Sequence, residues 1–249
     1  NSGNIRLNGG ALGRGGTLGI NSISGDFDIL GSGTIDLQAG DYDSTEDDMA
    51  LLPGATGGTF VVALGNTGTL TLNKNIDLSG ANNSQGSGGN GGRIEISATD
   101  NNHIATTTLS GSWNINGGAS THTNSNGGNG GVLLIGDNID DTDKKFIGPI
   151  TLDNLEVLAN GGAGSLLGGH GGQINIDNDF GSTLAGTITV EATCTMELEA
   201  GAGNAADGDP GVLFFNQGDG TAVSLPEDVV SASAIIINDG QIDDPPGPP

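Results

Sequence analysis

Carboxylates are the side chains in this sequence with the number and spacing to do chemistry. Asp and Glu total 30 against 6 Lys and Arg, a net charge of −24. Some fall at a repeated place: in successive apolar-polar-apolar triplets the central residue is Arg6, Asp36, Asp77, Asn114, Glu156 and Glu197. If the triplets stack, Asp36 lies over Asp77 and Glu156 over Glu197, at a spacing where like charges repel. The column is then either a solvated acidic face or a ladder for divalent cations, with calcium the cation such oxygen ligands suit. Acidic loops at residues 41–48, 137–143 and 207–209 repeat the theme, and Asp137, Asp140, Asp141, Asp207 and Asp209 are the candidate weak calcium ligands there. No stretch has the full spacing of an EF-hand loop.

Carboxylate pairs also serve as acid and base in glycoside hydrolysis, so a carbohydrate-active enzyme, lyase or hydrolase, is the alternative function. The basic inventory argues against it: Arg6, Arg14, Lys74, Arg93, Lys144 and Lys145 are all there is. A surface this acidic receives polyuronates poorly, and it equally disfavours nucleic acid and anionic membranes. Sugar platforms are scarce, with Trp113 on an inward position and Tyr42 the other polar-tipped aromatic. His103, His122 and His170 lie in separate segments without ligand spacing, and Cys194, the single cysteine, shares the inward face of Met196 as a buried, inert thiol. No apolar run is long enough to span a bilayer.

What positions these residues is a repeat. Gly88-Gly89-Asn90-Gly91-Gly92-Arg93-Ile94-Glu95-Ile96 recurs as Gly127-Gly128-Asn129-Gly130-Gly131-Val132-Leu133-Leu134-Ile135 and as Gly168-Gly169-His170-Gly171-Gly172-Gln173-Ile174-Asn175-Ile176. Degenerate copies precede Leu213, Leu18 and Phe60, and the intervals are 42, 34, 39, 41 and 39 residues. A period near 40 calls for a repeat architecture. Each repeat parses into three period-2 segments. Segment a follows the glycines and places Leu18, Phe60, Ile94, Leu133, Ile174 and Leu213 in one inward column and Ile20, Val62, Ile96, Ile135, Ile176 and Phe215 in another. Segment b reads Leu70-Thr71-Leu72, Thr107-Thr108-Leu109, Ile150-Thr151-Leu152 and Ile188-Thr189-Val190, with Phe27-Asp28-Ile29 and Ile235-Ile236-Ile237 as looser members. Segment c is the triplet series already described, with Leu155-Glu156-Val157 as its fifth member.

Strands this short, with no hairpin between them, stack on their equivalents one turn away. The expectation is an all-β, right-handed parallel β-helix of about six turns spanning residues 1–243, with a proline-rich tail at 244–249. The glycines are expected at its corners, where positive φ and close backbone approach exclude a Cβ. Thr-rich b segments resemble those of ice-binding solenoids, which present a regular Thr array in every turn; outward Asp28 and Ile236 interrupt the array.

On these glycine motifs, roughly residues 4–243 resemble the glycine-rich right-handed parallel β-helices of prokaryotic surfaces, namely autotransporter passengers and filamentous-haemagglutinin-like adhesins. The resemblance implies an exported scaffold for adhesion or surface architecture, with a glycan or host surface as ligand. A first residue other than Met fits an exported, processed chain. Calcium-binding nonapeptide repeats share the glycines, but Arg93, Val132 and Gln173 stand where they carry Asp. Outward apolar Val61, Leu134 and Phe214 need cover by loops or by another subunit. Together with Ile5 and Leu7 on an uncapped first strand, they point to self-association into a fibre.

Overall fold

The computed structural model describes residues 4–11, 13–22, 25–42, 52–65, 67–99, 104–136, 148–178, 186–217, 223, 225–226, 230–231 and 234–238. All pairing between its strands is parallel, and the strands form two stacks, one of seven strands and one of ten. The protein is a parallel β-solenoid. The a segments make the seven-stranded stack, and Leu18, Phe60, Ile94, Leu133, Ile174 and Leu213 pair in unbroken register, as do Ile20, Val62, Ile96, Ile135, Ile176 and Phe215. Period 2 and the glycine anchor therefore assign both inward columns correctly. The b and c segments share the ten-stranded stack.

Four successive turns, opening at Thr59, Arg93, Val132 and Gln173, carry all three strands around one continuous buried core. Most of their inward side chains are fully buried, each stabilising by about 1.5–3 kcal/mol. The turn opening at Thr17 is also complete, but Leu18, Ile20, Phe27 and Ile29 only pack partly against that core. The turn opening at Val212 has described a and c strands. The expected six turns thus comprise four fully packed ones and looser turns at each end.

Two assignments change. Ile235, Ile236 and Ile237 pair with Leu213, Phe214 and Phe215, so they belong to an a strand, Ala234–Asn238, and not to a last b segment. No glycine pair precedes them, and this hid their identity. The second change is in the turn of Ile150–Leu158, where Val157 pairs with Trp113 and Leu158 with Asn114. The c triplet there is Val157-Leu158-Ala159, and Leu155-Glu156-Val157 is out of register by two. The cause is an irregularity between Leu152 and Leu155, where two residues face one, with Asn154 at φ 50 and Gly111, the partner of Leu155, at φ 110.

The glycine motif is more than a corner. The positive-φ glycines among the described residues are Gly25, Gly31, Gly111 and Gly136, none of them in the Gly-Gly-x-Gly-Gly copies. Instead the stretch leaving segment c and the stretch approaching the next segment a lie against each other, backbone to backbone. One hydrogen-bond zigzag joins them across the turns. Ala81 N–H donates to Ala55, Gly89 to Ala81, Gly118 to Gly89, Gly128 to Gly118, Gly162 to Gly128, Gly169 to Gly162, Gly201 to Gly169 and Gly208 to Gly201, each onto the carbonyl at 2.7–3.0 Å. A β-carbon at any of these glycines would overlap a carbonyl of the same stretch one turn earlier. The motif therefore builds a thin blade beside the three-strand core, mostly glycine, with Ala55 and Ala81 in its first turns.

Candidate functional site

The outward c column contains, in register, Arg6, Asp36, Asp77, Asn114, Leu158 and Glu197, followed by Ser231. Asp36 does stand over Asp77. Glu156 does not stand over Glu197: it pairs with Ser112 and Thr195, and Ser112 Oγ donates to its carboxylate. The register shift removes half of the expected like-charge ladder by putting Leu158 in its place.

The remaining pair is compensated within the chain. Arg6 Nε lies 3.7 Å from Asp36 Oδ2. Asp77 accepts from Gln38 Nε2 at 2.9 Å, from the Ser79 N–H at 3.1 Å and from Asn114 Nδ2 at 3.2 Å. Glu197 accepts from Asn160 Nδ2 at 3.2 Å. Amides two residues along the chain or one turn away thus supply donors to the charge. Asp36 Oδ1 is buried without a hydrogen-bond partner. Among the described residues no three His, Cys, Asp or Glu converge on one point. Asp207 accepts the Gly203 N–H at 3.0 Å, Asp209 sits 3.3 Å from His170 Nδ1, and Asp137, Asp140 and Asp141 lie outside the described residues. Asp26 is held below its ordinary value of 3.8 by the Thr69 N–H and then the Thr69 hydroxyl, both donating to its carboxylate.

A set of residues not anticipated from sequence borders the blade. The central residue of each motif receives the backbone N–H of its counterpart in the next turn: Asn129 N–H donates to Asn90 Oδ1, His170 N–H to Asn129 Oδ1 and Asp209 N–H to His170 Nδ1, each at 2.9 Å. Asn160 N–H donates to Asn116 Oδ1 and Glu199 N–H to Asn160 Oδ1, both at 2.7 Å. Asn82 N–H donates to Asp41 Oδ1 and Ala119 N–H to Asn82 Oδ1, both at 2.8 Å. Short side-chain oxygens satisfy donors that the blade's geometry leaves open. Their recurrence at the motif's variable position was the available signal.

Two shallow depressions lie along these borders. The first, about 340 Å³, is lined by Asp41, Tyr42, Asn82, Asn83 and Thr121 among others, and its described lining has one carboxylate. The second, about 300 Å³, runs past Asn90, Asn129 and Gln173. Neither sets two carboxylates across a gap, the arrangement that glycoside hydrolysis uses.

The assembly candidates divide. Ile5 and Leu7 are 42% and 43% exposed, and Val61 is half-buried. Leu134 and Phe214 are each 1% exposed within the single chain, so cover for these two outward residues comes from the chain itself. Trp113 is inward and fully buried. His122 Nδ1 meets Ser125 Oγ at 3.0 Å, and His103 is outside the described residues. Cys194 is buried with Sγ on the Leu152 carbonyl at 3.2 Å, and burial pushes its thiol above the ordinary value. The native thiol is expected to stay unlabelled by a thiol reagent at neutral pH and to react fully once denaturant unfolds the chain.

These features define a glycine-rich parallel β-solenoid repeat protein with an acidic, hydrogen-bonded exterior. Comparison of the chain with family models, curated proteins and solved structures finds no match. Among the described residues, no helix is long and apolar enough to cross a membrane.

Proposed function

We propose that this chain is a non-catalytic structural or adhesive element of a prokaryotic cell exterior, a subunit or segment of a fibre extended by adding β rungs. The observation that carries this reading is the difference between equivalent rungs. Ile5 and Leu7 are 42% and 43% exposed, whereas their partners one turn along, Ile35 and Leu37, are 1% and 0% exposed. The lowest described rung keeps parallel register and apolar inward residues, so it fits a further rung with the geometry the solenoid already repeats. The net charge of −24 opposes association in every direction, so the apolar residues and open backbone of the rung must supply the attraction.

Electron microscopy and sedimentation of the pure chain, with and without calcium, test this. End-to-end rods are expected, shortened by the double substitution Ile5→Lys with Leu7→Lys. Strictly monomeric particles at every concentration in both conditions would sink the reading.

A further inference from the structure

The b face of the solenoid is a two-column array of threonine. Segments Leu70–Asn73, Thr107–Asn114, Ile150–Leu158 and Ile188–Val190 stack so that Thr71, Thr108, Thr151 and Thr189 form one outward column without a shift. The residues two positions earlier, Thr69, Thr106, Pro149 and Thr187, continue it as a second column. The backbone ladder extends to them: Leu70 N–H donates to the Thr106 carbonyl, Thr107 to Pro149 and Ile150 to Thr187, at 2.9–3.0 Å. Seven of these eight positions are Thr and none is charged, in a chain with 30 acidic residues. Thr106, Thr187 and Thr189 are exposed and the other four threonines half-buried, as neighbours in a packed surface array should be.

Two objections apply to such an array when the sequence is read alone, outward Asp28 and outward Ile236. The second disappears because Ile236 pairs with Phe214 in the other stack. Asp28 pairs with Thr71 and so stands at one end, where Thr69 Oγ1 also donates to Asp26 at 2.8 Å. Between Thr71 and Thr189 the column is unbroken.

We propose that this face binds ice. Parallel strands space the hydroxyls about 4.8 Å apart between turns and about 6.6 Å apart along each strand, a flat two-dimensional grid of the kind that a crystalline surface of ordered oxygens can meet at several points together. The rotamers of a β-branched side chain are restricted, and the in-register sheet holds the backbone, so the array is ordered before it meets its ligand. Each hydroxyl and methyl contact is weak, but a crystal presents the same spacing to all of them at once, and simultaneous contacts compound. A soluble sugar or peptide would instead favour a concave site. This inference is independent of the fibre reading, which rests on Ile5 and Leu7.

The test uses the pure chain in a cooling stage, reading thermal hysteresis and crystal shape, with retention on ice as a second readout. Wild type and Thr17→Lys, an exposed position on the other sheet, are expected to shape ice equally. Thr108→Lys with Thr151→Lys should abolish shaping while circular dichroism and melting temperature stay near wild type. Pro149→Thr, which completes the second column, should increase hysteresis. No effect of the folded wild type on ice, a folded double variant as active as Thr17→Lys, or retention on crystalline cellulose or chitin with none on ice would each overturn the proposal.

Discussion

Gly118→Ala is expected to destabilise the protein by about 3 kcal/mol, a large effect for adding one methyl group. The new β-carbon would fall inside the envelope of the Ala81 carbonyl in the adjacent turn, with the Asn82 nitrogen next nearest. These are backbone atoms of a stretch hydrogen-bonded on both sides, so no side chain can rotate out of the way. Gly118 N–H donates to Gly89 at 2.7 Å and its own carbonyl accepts from Gly128 at 2.9 Å, so a shift that relieved the overlap would break the zigzag. Gly19→Ala is the matched control. Nothing lies within 4 Å of a β-carbon there, and the residue is exposed, so the change should be neutral or stabilising by about 0.4–1 kcal/mol through the unfolded chain. Denaturant midpoints of both variants by circular dichroism measure the contrast. Equal midpoints would mean that successive turns of the blade do not touch as described.

Trp113→Ala should cost about 3–5 kcal/mol. Trp113 is fully buried, stacks in register between Ile76 and Val157, and donates from Nε1 to the Lys74 carbonyl at 3.0 Å. Truncation opens a cavity in the middle of the stack and removes a donor from a buried acceptor. Trp113→Phe separates the two, since it keeps most of the volume; the lost bond alone should cost about 1–3 kcal/mol. A solenoid couples each turn to its neighbours only, so a break at the central turn should also divide unfolding into two phases. Circular dichroism must follow it, because this is the only tryptophan. A single transition at the wild-type midpoint for Trp113→Ala would contradict the packing.

The path from residues to fold was most direct where a pattern repeated against a fixed anchor. Glycine pairs followed by apolar residues at the second and fourth positions located both inward a columns, and Leu-Thr-Leu-like triplets located the b columns, because alternation has one solution once the first strand is oriented. Legibility failed where the anchor was missing or the count slipped. Ile236 lacked its glycines, and Glu156 was misplaced because two residues face one in the preceding bend. Those two errors bear directly on the candidate surfaces. One built a carboxylate stack that does not exist, and the other obscured a threonine array.

The amino-acid sequence by itself determined the period, the inward a columns and the acidic balance, since a recurring motif, local alternation and residue type are all written in its order. Only the tertiary structure decided what the glycines do, how Asp77 is satisfied and why Leu134 and Phe214 are buried. Each of these depends on atoms about 40 residues away brought within contact by stacking, or on cover from elsewhere in the chain. A glycine that turns a corner and a glycine that admits a neighbouring backbone are the same letter; the carbonyl one turn away distinguishes them.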